Sequence, residues 1–570
     1  MSKYVYGIDL GTTYSCIAYQ DETGRPVVVQ NSEGTNTTPS VVQISESGNE
    51  VIVGQVAKDN AVLSAGNTIQ MIKTKMGREK VVYYGKDLEK EIPPAEVSAY
   101  ILKKIAQDAG VLLDDNVKDV VITCPAYFGD AERKATAQAG EIAGLHVIAI
   151  LDEPTAAAIY YGCTRECENK TVLVYDLGGG TFDVTVMKID GGDIQVVCTD
   201  GNHDLGGKDW DDCLYRYVSK QFVEQTGYTE EFDDETKQDL ALKVERAKIQ
   251  LSKKEKTIIS MNVDNIRAGI EVTREKFEEL TSSLLELTKD LTLDVLDMAQ
   301  NYGVTEISEL LLVGGSTKMP QVRKMIESEL SMEPKVLEPD EAVAKGAAIF
   351  AIVKMEEIVK ANGQEQSGEQ MMDELAFEKA AKELDDEDIY TYMYASDGQL
   401  YATDFDNSKN EGYLLPTESQ GPAQVGNVTI HTKTTKSFGV KALKNDKIVI
   451  SNIIYKNEDT PCTKTKLFGL AEDDQETANI EVYESTNLAD AFEVDQDYFI
   501  GNAILELPKG LKQGSVVEVT MNLSNEGTLS VTGKELTTNQ EVMATFASEC
   551  IMEETDVEDT RKRVDNIVII

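Results

Sequence analysis

Two segments of the chain spell nearly the same pattern, and few folds accommodate both. Val5-Tyr6-Gly7-Ile8-Asp9-Leu10-Gly11-Thr12-Thr13-Tyr14-Ser15 and Leu173-Val174-Tyr175-Asp176-Leu177-Gly178-Gly179-Gly180-Thr181-Phe182-Asp183 each run an apolar strand into an aspartate, a Gly/Thr turn and a second strand. Glycine lets a turn approach a ligand closely and point successive N–H groups at one anion. An aspartate at the strand end can hold a hydrated Mg²⁺, an ion that favours carboxylate oxygen and keeps several waters. Either copy alone reads as an ordinary β-hairpin. Two copies facing each other predict a grip on a polyphosphate from both sides.

The charge balance narrows the field. Among 570 residues, 55 are Lys or Arg and 100 are Asp or Glu, a formal net charge of −45. Such a surface repels phosphate backbones and anionic headgroups, so neither nucleic acid nor a membrane is expected as a partner. An anionic ligand needs a local site of amides, lysines or metal. Eight cysteines and three histidines are too dilute for a disulfide scaffold or a zinc centre. No apolar run reaches the length of a membrane helix, and Met1-Ser2-Lys3 passes directly into the first strand without a signal segment. A cytoplasmic location is expected.

Residues 1–356 alternate β-rich runs, such as Val120-Val121-Ile122-Thr123 and Leu310-Leu311-Leu312-Val313, with helical stretches, the signature of α/β layers. Residues 357–426 form an acidic linker or insertion, with one helix predicted over Gln370 to Leu384 and a hairpin beginning at Tyr390 to Tyr394. Over 427–550 the helical period disappears and short strands punctuated by Asn, Asp and Gly predict an all-β sandwich. The tail, 551–570, has room for one short helix.

Further elements suit a nucleotide. Leu312-Val313-Gly314-Gly315-Ser316-Thr317 reads as strand, Gly turn and helix, where a nucleoside could lie against bare backbone. Glu245, Lys248 and Ser252 share one helix face, which could bond a ribose or base or be a solvated stripe. Gly201 and Gly206-Gly207 lie in a loop that could approach phosphates or simply turn.

Asp9-Leu10-Gly11-Thr12-Thr13, Ala126-Tyr127-Phe128, Asp152-Glu153-Pro154-Thr155-Ala156-Ala157-Ala158, Asp176 to Asp183 and Val313 to Thr317 resemble, in order, the signatures of the DnaK-type, seventy-kilodalton heat-shock chaperones. The resemblance covers residues 4–356 and resumes more weakly over 437–540. It implies a two-lobed, actin-like ATPase domain (a duplicated RNase H-like fold) followed by a β-sandwich that binds peptides. It further implies an ATP-dependent chaperone: a slow ATPase using ATP/ADP and Mg²⁺ to switch the affinity of the sandwich for unfolded or extended apolar peptides. A J-domain co-chaperone and a nucleotide-exchange factor are candidate partners.

On this resemblance Asp9 and Asp176 orient waters around Mg²⁺. Thr12, Thr13 and Thr181 contact phosphates, and Lys73 sits near the γ-phosphate. Glu153 links hydrolysis to domain movement, while Pro125, Arg133 and Asp183 relay nucleotide state. The nucleotide set is Gly11, Thr12, Thr13, Gly178, Gly179, Gly180, Gly206, Gly207, Glu245, Lys248, Ser252, Gly314, Gly315, Ser316 and Asp340. Phosphoryl transfer to water needs charge neutralisation and an in-line nucleophile, which these residue types supply. Val440, Leu443, Phe468, Ala471, Ala478 and Ile480 align with a peptide groove, or serve equally as half-buried strand residues of a sandwich core.

The chain departs from the family pattern at three places. Ile249 and Lys318 stand where arginines usually flank the adenine. The polar Thr429-Ile430-His431-Thr432-Lys433-Thr434 follows the acidic insertion where a leucine-rich linker is usual, so conventional allostery is expected to be altered. There is little chain after the sandwich for a helical lid, and fast peptide exchange is expected. Two other functions remain open: a nucleotide-regulated scaffold with one fixed partner, and a metabolite kinase of the actin superfamily.

Overall fold

The computed structural model describes residues 2–85, 90–164, 169–190, 193–360, 393–394, 400–401, 429–444, 447–524, 529–545 and 551–570. The helix expected over 370–384 lies outside these. The hairpin expected from Tyr390 is described only where Met393–Tyr394 pairs antiparallel with Leu400–Tyr401.

Two sheets built to one plan form the first part of the molecule. In lobe one the strands lie in the order His146–Asp152, Asp119–Cys124, Tyr6–Asp9, Tyr14–Gln20, Pro26–Val28. In lobe two the order is Pro334–Val336, Glu309–Val313, Lys170–Leu177, Phe182–Asp190, Asp193–Asn202. In both, the first three strands are parallel and the last three form an antiparallel meander. The parallel strands are apolar nearly throughout (Asp119-Val-Val-Ile-Thr-Cys124 is buried at every position) because helices cover both faces.

Helices Pro94–Leu113 and Asp130–Ile142 pack on lobe one, and Gly207–Thr226, Asp234–Leu251 and Ser282–Asn301 on lobe two. The chain's one tryptophan, Trp210, is fully enclosed in the second of these cores. Between the sheets run the helix Glu153–Thr164 and the helix over 342–360. Their approach is as close as backbone permits. A Cβ on Gly346 would lie 1.8 Å from the Ala156 carbonyl oxygen, and one on Gly7 2.1 Å from the Ala348 nitrogen. This contact fixes where the two strand ends carrying Asp9 and Asp176 stand relative to each other.

Lobe two's sheet continues beyond its own sequence. Thr429–Lys433 pairs parallel with Asp193–Gln195 and then antiparallel with Asp459–Thr460. The polar segment Thr429–Lys433 therefore docks as a strand. Backbone hydrogen bonds do not depend on side-chain polarity, and Ile430 supplies an apolar contact with the inter-sheet core.

The all-β part consists of a five-stranded sheet, in the order Ala491–Glu493, Lys447–Ile454, Ser437–Lys444, Thr477–Ser485, Phe499–Glu506. It faces a four-stranded sheet, Cys462–Gly469, Val516–Leu523, Leu529–Glu535, Glu541–Thr545, across one core. The tail forms the helix Glu554–Asp565 and the strand Val568–Ile569, both on lobe one. Among the described residues no helix is long and apolar enough to cross a membrane.

Candidate functional site

The two Gly/Thr turns meet. A Cβ on Gly179 would fall 2.5 Å from the Thr13 methyl carbon, and one on Gly180 2.8 Å from that of Thr12. Lobe two secures its own turn from behind. The Gly207 N–H donates to the Gly178 carbonyl at 3.0 Å, the Lys208 N–H to Gly179 at 2.9 Å, and the Ser316 hydroxyl to Gly178 at 2.8 Å. Gly206 approaches the Gly180 nitrogen so closely that a Cβ would lie 2.4 Å away. Gly206 also starts the helix Gly207–Thr226, its N–H donating to Asp209 at 2.8 Å, so a helix N-terminus faces the turn.

Between the turns opens a cavity of about 620 Å³. Its walls include Asp9, Gly11, Thr12, Thr13, Lys73, Glu153, Asp176, Gly178, Gly179, Thr181 and Gly207, and at the other end Glu245, Lys248, Ser252, Gly314, Gly315, Ser316 and Asp340. Gly180 and Gly206 lie immediately behind this lining. Gly314 adopts φ 82°, a left-handed conformation that brings the backbone against Asp176 and Leu177.

The floor is electrostatically loaded. Lys73, in the turn Ile72–Lys75, is buried and ion-paired with Glu153, which opens the helix after strand His146–Asp152. Asp176 and Asp183 lie opposite each other on one hairpin; Asp9 has the same place in lobe one, opposite Cys16. Burial pushes Asp9 up to about 7, with Glu153 adding to the rise and Lys73 opposing it. Burial and Glu153 push Asp183 up to about 8, and burial with three neighbouring carboxylates raises Asp176 well above the ordinary range. Burial opposes the charge on Lys73, yet Glu153 and Asp9 keep it more basic than a free lysine.

Three buried carboxylates, Glu153, Asp176 and Asp183, and the half-buried Asp9 against one ammonium form a site short of positive charge. That donor set fits a divalent cation. Among the described residues no three His, Cys, Asp or Glu side chains converge as direct metal ligands. The set therefore fits a hydrated ion whose waters Asp9 and Asp176 would orient, a ligand style common for Mg²⁺.

Other candidate residues fall into place around this floor. The Asp183 carboxylate accepts the Tyr127 backbone N–H at 3.0 Å. Pro125 opens that turn, its carbonyl accepting from Phe128 at 3.1 Å. Arg133 donates to the carbonyls of Phe128 and Ala126 and pairs with Asp152 at 2.5 Å, one residue from Glu153. Lys248 holds the Gly207 carbonyl at 2.8 Å and Asp211 at 2.6 Å, so its ammonium braces the loop as well as lining the cavity. Ser252 donates to the Lys248 carbonyl at 3.2 Å. Asp340 pairs with Lys318, and Ile249 lies half-exposed in the same wall. Lys58 joins these residues from lobe one, reaching Glu245 of lobe two at 2.7 Å and the Tyr14 hydroxyl at 3.2 Å. No motif surrounds it, and only the packing of the lobes reveals it.

The six groove candidates do not converge. Val440 and Ile480 are only 3% and 5% exposed, in the sandwich core, while Leu443 is 61% exposed at a strand end. Phe468 and Ala478 pack against the core from its margin, and Ala471 lies on the surface. Val440 and Ile480 take the second of the two places open to them, the sandwich core, because strand alternation points both inward.

A two-sheet cleft with paired Gly/Thr turns, joined to an all-β module, is the architecture of a nucleotide-driven ATPase with a binding domain attached. A family profile described as Hsp70 protein matches residues 5–362 and 419–567. Among similar proteins, chaperone protein DnaK of Thermosipho melanesiensis is 35% identical over 98% of this chain and 83% of its own length. That of Thermosipho africanus is likewise 35% identical over the same shares, and that of Thermotoga neapolitana 34% over 95% of this chain and 79% of its own length. The chain belongs to the Hsp70 family. It is an ATP-dependent chaperone of the Hsp70 type and an ATPase.

Proposed function

We propose that the cavity between the turns is where this chaperone binds ATP and ADP with Mg²⁺ and hydrolyses ATP. The contact of Thr12 and Thr13 with Gly180 and Gly179 above the half-buried Asp9 and the buried Glu153, Asp176 and Asp183 carries this reading. It rests also on the duplicated strand order, which accords with two actin-like lobes. The division into 1–356, 357–426, 427–550 and 551–570 is part of the same proposal.

In this reading the turn amides and the hydroxyls of Thr12, Thr13 and Thr181 bind and orient phosphate oxygens. When bound, Mg²⁺ neutralises phosphate charge. The Lys73 ammonium, held by Glu153, adds positive charge near the transferred group, and the carboxylates orient the attacking water and accept its proton. Glu245, Lys248, Ser252 and Asp340 fix the nucleoside end. Asp183, through the Tyr127 N–H, and Arg133, through Asp152, tie the floor to the surface where the sandwich docks.

The sandwich would hold extended apolar peptides, supported by the exposed Leu443 at the end of its first hairpin. J-domain and nucleotide-exchange proteins would act as co-chaperones. A cytoplasmic setting accords with the free thiols of Cys16, Cys124, Cys198, Cys213 and Cys462 among the described residues. Titration calorimetry with Mg·ATP tests the core of the proposal. Binding that is lost or weakened at least tenfold in the D9N/K73A variant is expected; binding that ignores those changes overturns it.

A further inference from the structure

The last twenty residues take an unexpected path. After the final sandwich strand the chain enters lobe one, where Met552 and Gln138 exchange two hydrogen bonds, at 2.7 and 3.2 Å. The helix Glu554–Asp565 buries Val557, Thr560 and Val564 against the lobe's core and lays Arg563 on the buried carboxylate of Glu96. The strand that follows joins lobe one's outer sheet, parallel to Glu50–Val53. Val568 N–H donates to Asn49 at 3.2 Å, Ile570 N–H to Val51 at 2.9 Å, and Val53 N–H returns to Ile570 at 2.9 Å.

Strand Glu50–Val53 thus has Val42–Ile44 on one side and the tail on the other. Gly54, at φ 95°, turns it directly into the short helix Gln55–Asn60. That helix carries Lys58, which bridges the cleft mouth to Glu245, and Asp59, which lies 3.7 Å from Arg246. Val53, whose N–H donates to the Ile570 carbonyl, stands five positions before the lysine that spans the two lobes. An edge strand stripped of a partner loosens first, and the helix continuous with it would loosen too.

We infer that residues 551–570 are a strap that holds lobe one's outer sheet in the position from which Lys58 closes the cleft, and so sets the rate at which nucleotide leaves. Lys58 is the positioning residue through which the strap acts. The inference rests on the cavity being the nucleotide site.

Release of ADP carrying an N-methylanthraniloyl fluorophore from the full chain, followed by stopped flow, tests it. The V568P/I570P variant deletes two tail donors and leaves the core-facing Ile567 and Ile569 intact. It should release the probe at least threefold faster, with faster hydrogen exchange at the Val53 amide. V568T/I570T, which keeps both N–H groups, should match wild type. Lys58→Ala should give the same gain, and combining it with the prolines should add little, because both changes act through one element. Unchanged release beside a deprotected Val53 amide overturns the strap. If the prolines leave Val53 protected, a chain cut after residue 550 is held to the same release criterion. A wild-type chain that takes up no probe overturns the nucleotide reading and the strap's role together, whereas normal uptake with unchanged release overturns the strap alone.

Discussion

The ammonium of Lys73 and the carboxylate of Glu153 are ion-paired at the cleft floor, with side-chain exposures of only 4% and 11%. Each orders the other: the lysine arrives on a short turn of lobe one and the glutamate opens the helix between the sheets. Lys73→Ala should lower single-turnover hydrolysis about a hundredfold or more, the usual effect of deleting one charge-stabilising group from an active site. It should also leave Glu153 buried without its partner, costing roughly 3–5 kcal/mol of stability. The K73M/E153Q variant separates the two effects, because it should unfold at close to the wild-type temperature while remaining inactive. Quenched-flow hydrolysis and calorimetry on the three chains check both halves.

Gly206 illustrates a different constraint. Its φ is extended, so backbone freedom is not the reason for glycine here; space is. A methyl group would meet the Gly180 nitrogen and Cα at 2.4 and 2.5 Å, and neither backbone can yield without moving the phosphate-facing turn. Gly206→Ala should cost about 1–3 kcal/mol in stability and weaken ATP binding at least tenfold. Gly227→Ala, where nothing lies within 4 Å but φ is 74°, should lower stability with nucleotide affinity unchanged. Equal loss of ATP binding in both would refute the steric account.

The turn chemistry could be read from the chain because phosphate contact demands specific residue types within a few positions of one another. Asp9 with Thr12, and Gly178 with Gly179, are two such groups, and the structure brings them together. The resemblance singles out Lys73, but nothing in its neighbourhood announces a buried lysine; its ion-pair partner is a carboxylate eighty positions away. Lys58 and Glu245 likewise meet only through lobe packing. In the sandwich, a period of two says which residues share a face but not whether that face is groove or core, and Val440 and Ile480 proved to be core. The strand Thr429–Lys433 pairs through its backbone, on which side-chain polarity carries little information.

Tyr127 connects the cleft to the sandwich. Its N–H holds Asp183, while its ring lies 4.0 Å from the Lys436 ammonium and 5.3 Å from that of Lys456. Lys456 in turn pairs with Asp200 of lobe two at 2.9 Å. Partly desolvated cation–ring contacts contribute about 0.5–2 kcal/mol each. Tyr127→Leu keeps the backbone donor and removes the ring electrons, so it should shift the sandwich toward the undocked state and leave ATP binding intact. Small-angle scattering should report a larger radius of gyration; an unchanged radius together with unchanged hydrogen exchange at 434–437 would defeat this assignment.

Glu484 makes the docked interface sensitive to pH. The side chain projects from the sandwich onto the start of helix Asp130–Ile142, where a Cβ on Gly129 would lie 2.2 Å from its Oε1. Burial pushes its pKa up to about 7, with Glu132 and Asp130 adding to the rise; Lys436 and the Asp130 N–H pull the other way. Undocked, it should titrate near the ordinary 4.5. A carboxyl whose pKa is higher when docked favours docking fully below 4.5, and that contribution is lost as pH rises through about 7. The docked fraction should therefore grow between pH 8 and pH 5 in the wild type, relative to Glu484→Gln. His203, packed against Tyr127, works in the opposite sense: burial lowers its pKa to about 2, so acid favours any state that exposes it. The difference between the two chains cancels the His203 contribution. Scattering or hydrogen exchange at the start of helix Asp130–Ile142, measured across this range, should show the glutamine chain docking better at pH 8 and converging with wild type toward pH 5. Parallel curves would assign the pH response to groups other than Glu484.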